Sequence, residues 1–327
     1  TITATLADGT ESIQCLVRVG DITVPIFATG SLAGQRANDN VSLADVAALK
    51  ASTPDSILVD AGGSLHGTTV ASMTGGMDML SSFSAAGYDL QAFGAEDLAY
   101  GIARLRSDAN MGSGPSLAAN LRDSDGAAIF YRSTSWNRNR ITNGMNTIIT
   151  RAGYRIGFFS LADADAVNGK IGLVNEETPF ANDLAQTASE QVAALQAQGV
   201  DAIICITTPG VDTAALQTTL KDLGVTAVID GSGTAATQDG VYSAGAALGL
   251  DGVAHFDLVF TQGGGVAVRG ADNVTAATLQ ASRATWESLA AAADTTTTGS
   301  DAADPDKDTE AVGGKDTSAP AETTDEA

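Results

Sequence analysis

Leu90–Gly101 reads LQAFGAEDLAYG. An apolar, strand-like run ends at Gly94. Three positions follow, Ala95, Glu96 and Asp97, and a helical pattern begins after Gly101. A turn leaving the carboxyl end of a strand is the usual seat of chemistry in an α/β protein. Yet the first of the three positions is an alanine, which has nothing to donate, accept or ligate. The turn is written into the chain and its leading side chain is missing.

Working outward, apolar runs and helical patterns alternate on both sides of this stretch. Strands are expected at 22–29 (ITVPIFAT), 56–63 (SILVDAGG), 116–121 (SLAANL), 202–207 within DAIICITT, and VTAVIDG ending at Gly231. NTIITRAGYRIGFFSL (146–161) predicts two strands turned at Ala152-Gly153, and 253–270 predicts a closing hairpin around the glycines of TQGGG. Helices are expected at SLADVAALKAS, with Ser42 as N-cap and Asp45 completing a capping box. Others are expected over 69–86, after Gly101, over 182–199, over VDTAALQTTLKDLG and over 273–292. Strand, helix, strand in repetition predicts sheets covered by helices.

Three regions follow. Residues 1–21, with a turn at Asp8-Gly9, read as an added β-hairpin, and 22–292 as the α/β domain. Residues 293–327 read as a Thr/Ala/Asp-rich tail. From Asp294 onward ten acidic residues face two lysines, with no Phe, Tyr or Trp. Such a segment cannot bury enough apolar surface to offset its ordering entropy and is expected to stay disordered, as a stalk, a linker or a solvated end.

Composition narrows the function classes. The 327 residues carry a formal net charge of −22, with 44% hydrophobic and 5% aromatic residues. The core must therefore rest on Ala, Val, Leu and Ile. Such a charge repels phosphate backbones and anionic lipid, so neither nucleic acid nor a membrane surface is an expected partner. No apolar run is long enough to span a bilayer. Of the two cysteines, Cys205 reads as a buried hydrophobe, and Cys15 and Cys205 make no disulfide framework. The chain begins at Thr1, which fits a processed or trimmed product.

Seven motifs in order give a resemblance. DAGGSLHGTT (60–69) resembles D-A-G-D-x-x-x-G-T, and GYDLQAFGAEDLAYG (87–101) resembles G-Y-D-x-x-x-x-G-N-H-E-F-D-Y-G. SLAANL (116–121) is similar to an S-A-N-I/L strand, and GYRIGFFSL (153–161) to G-x-K-I-G-x-x-G-L. LQAQGVDAIICITTPGVD (195–212) is similar to L-K-x-x-G-A-D-x-I-I-x-L-S-H-L-G. GVTAVIDGSGT (224–234) is similar to G-V-D-L-I-I-G-G-H-S-H, and IFATGSLAG (26–34) to I-L-x-T-N-D-x-H-G. Together they resemble the calcineurin-like metallophosphoesterase domain of secreted 5′-nucleotidases. The resemblance implies a four-layer α/β/β/α sandwich, two adjacent divalent metals, phosphate-ester hydrolysis and a C-terminal domain that stacks a nucleobase.

The residues deny the metals their ligands. Holding two dications ~3.5–4 Å apart takes a bridging carboxylate and further oxygen and imidazole donors. The opening aspartate and histidine fall on Ser31 and Ala33, and the bridging aspartate on Gly63. The asparagine–histidine pair falls on Ala95 and Glu96, the next histidine on Thr208, and the last two on Ser232 and Thr234. Meanwhile Gly34, Gly62, Gly67, Gly94, Gly101, Gly210 and Gly231 stand where the family has glycine. The turns are kept and the donors are gone, so no metal cofactor and no catalytic residue are expected.

The expected function is accordingly a pseudo-phosphoesterase, a binding or scaffold module for a protein or small-molecule partner, secreted or displayed on a bacterial surface. The alternative is a divergent metal-dependent phosphoesterase or 5′-nucleotidase working through Asp60, His66, Glu96 and Asp97. Asp60 otherwise reads as structural, and Asp163 and Asp165 as a solvated turn. A third expectation is a purely structural module, such as a spacer or a subunit that pairs with an active relative.

Overall fold

A computed structural model describes residues 2–5, 12–15, 20–109, 114–130, 143–169, 180–232, 240–243, 252–270 and 273–297. The chain divides into two compact units, Thr1–Glu287 and Ser288–Ala327. The first holds two β-sheets. In the larger, the order is β15 (Val266–Gly270), β14 (Ala254–Phe260), β3 (Ile22–Thr29), β4 (Ile57–Asp60), β5 (Leu90–Ala92), β6 (Ser116–Leu117). Strands β3 to β6 run parallel, and the β14–β15 hairpin adds on antiparallel. The second sheet has the order β13 (Val241–Ser243), β12 (Ala227–Asp230), β11 (Ala202–Thr207), β9 (Tyr154–Leu161), β8 (Asn146–Arg151). Two small pairs complete the strands: β1 (Ile2–Thr5) with β2 (Ser12–Cys15), and β7 (Leu121–Arg122) with β10 (Phe180–Ala181).

The sheets pack face to face because their strands are apolar on both sides. Val24, Ile26 and Ala28 of β3 join Phe158, Ile204, Ile206 and Ile229 of the second sheet in one buried cluster. Phe27, between them in sequence, points the other way. It packs with α1 (Leu43–Ser52), α3 (Met77–Ala86) and α4 (Ile102–Ala109) through Leu49, Leu80 and Leu105. On the far face of the second sheet Phe159, Cys205 and Val228 meet Val192 and Leu195 of α6 (Leu184–Ala197) and Leu220 of α7 (Thr213–Asp222). Strand alternation thus sorts one run of residues into two cores. The result is the expected α/β/β/α sandwich. Cys205 is fully buried, and desolvation raises its thiol well above the usual range.

Several local expectations are met in detail. Ser42 accepts from the Asp45 N–H, and Asp45 accepts from the Ser42 N–H at 2.8 Å, closing the capping box. The β8–β9 turn places Ala152 (φ 52°) and Gly153 (φ 92°) in the left-handed region. The Thr261–Gly265 glycines close the β14–β15 hairpin.

Others are corrected. The helix expected over 69–86 is two, α2 (Thr69–Thr74) and α3, because Gly75 (φ 65°) and Gly76 (φ 91°) both turn left-handed. The strand expected over 116–121 stops after Leu117. Asp163 and Asp165 do not form a free turn. Asp163 caps α5 (Ala164–Gly169), its Oδ1 accepting from the Ala166 N–H at 3.0 Å. The last helix, α8 (Ala276–Thr297), passes the expected end at 292. Ala290–Ala293 are strong helix formers, and no glycine or proline intervenes before Gly299. The remaining tail, 298–327, lies outside the described residues.

Between the sheets, Asp89 is a shared anchor. It accepts from Lys50 of α1 at 2.7 Å, from the Leu58 N–H at 2.9 Å and from Arg151 at the end of β8. Both cations also bond the Ser56 carbonyl. Asp89→Ala leaves two part-buried cations without their carboxylate. It is expected to lower stability by about 2–3 kcal/mol in urea denaturation, toward the low end of buried-pair losses because the site is partly wet.

Candidate functional site

The parallel strands β3, β4, β5, β11 and β12 bring their carboxyl ends to one edge. The register sets Thr29 beside Asp60, Asp60 beside Gln91, and Thr207 beside Asp230. The loops leaving these strands carry the positions singled out in sequence.

The loop after β4 is the centre of the arrangement. Gly62 (φ 90°) and Gly63 (φ 70°) turn it through a region where side chains are rare. Its N–H groups point at two buried carboxyls. Gly62 donates to Asp60 Oδ1 at 3.0 Å, and Gly63 to Asp97 Oδ2 at 2.9 Å. Ser64 and Leu65 both donate to Asp97 Oδ1 at 3.1 Å. Asp97 Oδ2 also accepts from the Gly94 N–H at 3.0 Å. The loop's carbonyls face the loop after β3: Gly62 accepts from Ser31 N–H (2.8 Å), Gly63 from Ala33 (3.1 Å) and Ser64 from Gly34 (2.9 Å). Matching that ladder holds Ser31 (φ 52°) and Ala33 (φ 48°) left-handed, at about 1–2 kcal/mol each.

Asp97 is therefore a staple. It sits on the turn Glu96–Tyr100, is 1% exposed, and ties the β5 turn to the β4 loop through four backbone donors. Asp97, named with Asp60, Glu96 and His66 in the alternative carboxylate site, has both its oxygens accepting from main-chain N–H groups. Its signal in the sequence is position: Asp97 stands where the resembled G-N-H-E motif has its acid. Asp60, also 1% exposed, accepts from Thr29 Oγ1 (3.0 Å) and Ser64 Oγ (2.9 Å), and Thr29 in turn shares a hydrogen bond with the Tyr88 hydroxyl (2.8 Å). Burial first, then the nearby Asp97 charge, pushes the Asp60 carboxyl up to about 8 against the lowering hydrogen bonds. Burial beside Asp60 likewise raises Tyr88 well above its usual value.

The positions that the resemblance assigns to metal ligands lie around these loops, and the space beside Gly63 and beside the turn glycine Gly94 is taken by neighbours. A β-carbon at Gly63 would stand 2.8 Å from Cγ of Pro209 and 3.2 Å from Glu96 Oε2. One at Gly94 would stand 2.4 Å from Thr208 Oγ1. Ser31 Oγ is turned aside to the Gly231 carbonyl at 2.8 Å. Ala95 is buried, and the Ser232 N–H bonds Asp230 Oδ1 at 2.9 Å. Glu96 is exposed at the rim. The Thr208 hydroxyl is buried with no hydrogen-bond partner among the described residues, as is Nδ1 of the half-buried His66. Thr234 lies outside the described residues. His255 is remote from this role: it packs on Phe27 and bonds Asp257.

Two dications do not fit this donor set. At the bridging position there is no side chain, and the space a carboxylate needs is held by Pro209. Among the described residues no three His, Cys, Asp or Glu side chains are grouped as a metal site requires. The arrangement instead binds its own backbone. Asp97→Asn keeps the shape but turns an amide N–H₂ toward two donor N–H groups. We expect a loss of about 2–4 kcal/mol by urea denaturation, and Glu96→Gln, at the exposed rim, should change stability by less than about 0.5 kcal/mol.

No protein-family model matches the sequence, and neither does any curated protein. Solved structures do match. The calcineurin-like phosphoesterase YfkN of Bacillus subtilis superposes with a TM-score of 0.57 at 16% identity, over 82% of this chain and 99% of that one. A 5′-nucleotidase precursor of Thermus thermophilus has a TM-score of 0.57 at 15% identity, over 83% of this chain. The sulfate thiohydrolase SoxB of the same organism also reaches 0.57 at 15%, over 86% of this chain. The chain spans only 59% and 62% of those two larger proteins. At such identities the likeness speaks for architecture, and the architecture is that of the calcineurin-like phosphoesterases and 5′-nucleotidases.

Proposed function

We propose that this domain is a non-catalytic relative of the phosphoesterases whose fold it has, a module that binds or scaffolds a partner at or around the closed mouth. One observation carries the reading: the position of the bridging carboxylate is Gly63, and Pro209 occupies the room such a side chain would need. Phosphoryl transfer on this scaffold needs two clamped metals to polarise the ester and generate hydroxide. Ser31, Ala33, Gly63, Ala95 and Thr208 supply neither carboxylate nor imidazole. The rim offers binding surface instead. Val70 and Met73 of α2, which follows the His66 loop, are 45% and 83% exposed. A secreted or surface setting, with a protein or small-molecule partner, belongs to the same proposal. The net charge of −22 and the acidic end of the chain suit it.

The test is direct. The purified chain, supplied with Mn²⁺, Zn²⁺ or Mg²⁺ and then desalted, should retain no stoichiometric metal. It should hydrolyse neither AMP nor a nitrophenyl phosphate above background. Either stoichiometric metal or turnover overturns the reading. Gly63→Asp alone should restore nothing and should cost about 2 kcal/mol, since it forces a side chain both into the left-handed region and against Pro209.

A further inference from the structure

The hydrogen bonds of the loop after β4 divide two roles between Asp60 and Asp97. Asp97 faces four N–H groups, and an N–H can only donate. A proton on either Asp97 oxygen would point at another donor, so Asp97 has to be the acceptor-only carboxylate. Asp60 is different. One oxygen accepts from the Gly62 N–H, but the other meets two hydroxyls, Thr29 and Ser64. A hydroxyl donates or accepts with equal ease, so this oxygen has room for a proton. Two neighbouring carboxyls in a dry interior do not both ionise cheaply. The titratable groups facing Asp60 are Asp97 and, through Thr29, Tyr88. Among the described residues no lysine, arginine or histidine bonds to either carboxyl to relieve a second charge.

The same loop is coupled outward. Its carbonyls receive the N–H groups of Ser31, Ala33 and Gly34, so the two loops share one short ladder across the mouth. We propose that Asp60 and Asp97 form a carboxyl pair holding a single proton, seated on Asp60, and that this proton latches the 61–65 and 31–34 loops shut over the strand ends. Losing it places a second charge beside Asp97 and converts the Asp60–Ser64 and Asp60–Thr29 contacts to bonds that the hydroxyls alone must donate. Thr29 then donates to Asp60 and accepts from the Tyr88 hydroxyl, so these bonds persist, and the latch loosens through the repulsion of the two buried charges.

The direction with pH follows. In the unfolded chain Asp60 gives up its proton near 3.8, the ordinary value for an aspartate, whereas in the folded chain it keeps it to about 8. Between those values the folded state binds the extra proton, so the stability owed to this group falls as pH rises and levels off above about 8. Opening of the latch itself is confined to the upper end of that window.

Amide hydrogen exchange of the full chain, corrected for intrinsic rates and followed from about pH 6 to about pH 9.5, tests this. Between about pH 7 and about pH 9, protection at Gly62–Leu65 and Ser31–Gly34 should fall about tenfold or more, while β9 and β11 keep theirs. In Asp60→Asn, whose amide copies the protonated carboxyl, the fall should vanish. The same fall in Asp60→Asn, no fall in the unaltered chain, or an equal fall across both sheets would overturn the latch. If Asp60→Asn does not fold, carboxyl carbon NMR of the unaltered chain decides. One aspartate titrating near pH 8 supports the pair, and all aspartates titrating below about pH 5 overturn it.

Discussion

Asp97 accepts four backbone N–H groups in a space closed to water, and the edge of the sandwich is arranged around that contact. A loop that leaves a parallel strand carries N–H groups with no ladder to join, and burying them unpaired is costly. One carboxylate satisfies Gly63, Ser64, Leu65 and Gly94 together. With its N–H groups committed inward, the loop turns its carbonyls outward, and the Ser31–Gly34 segment pairs with them. The left-handed strain at Ser31 and Ala33 follows from that pairing. Fold and mouth are in this sense one construction: the staple orders the β4 loop, and the β4 loop orders the next.

Small residues at the strand ends draw their neighbours into close packing. At Gly63, where the resemblance puts a carboxylate, a β-carbon would stand 2.8 Å from the Pro209 ring, and the Thr208 side chain lies against Gly94 and Gly62, which are glycines in the resembled motifs too. Close packing favours this, since a void between the strand ends would forfeit dispersion contacts. The edge is therefore closely filled, and a carboxylate side chain placed at position 63 would meet the Pro209 ring. The likeness to YfkN and to the nucleotidase precursor lies in the sandwich that surrounds this edge.

Much of the architecture is legible in the residues. The strands at 22–29 and 146–161, the capping box of Ser42 and Asp45 and the hairpin at 253–270 are all written in local patterns of period and turn chemistry. Local errors occur where two local rules compete. Gly75-Gly76 breaks a helix that the apolar spacing would run through, and Ala290–Ala293 extends one past the point where composition changes. The vestigial positions, too, are named by motif order alone, because the turn glycines mark the register.

The sequence by itself determined the layered class and the glycine turns at the strand ends, since each depends on residue type and near-neighbour spacing. Only the tertiary structure decided what Asp60, Asp97 and Pro209 do. Asp97 lies 34 residues from Gly63, and Pro209 comes from the other sheet. Whether a carboxyl works as a staple, a proton holder or a ligand depends on which donors face it. That is settled by where distant strand ends meet, which no local pattern encodes.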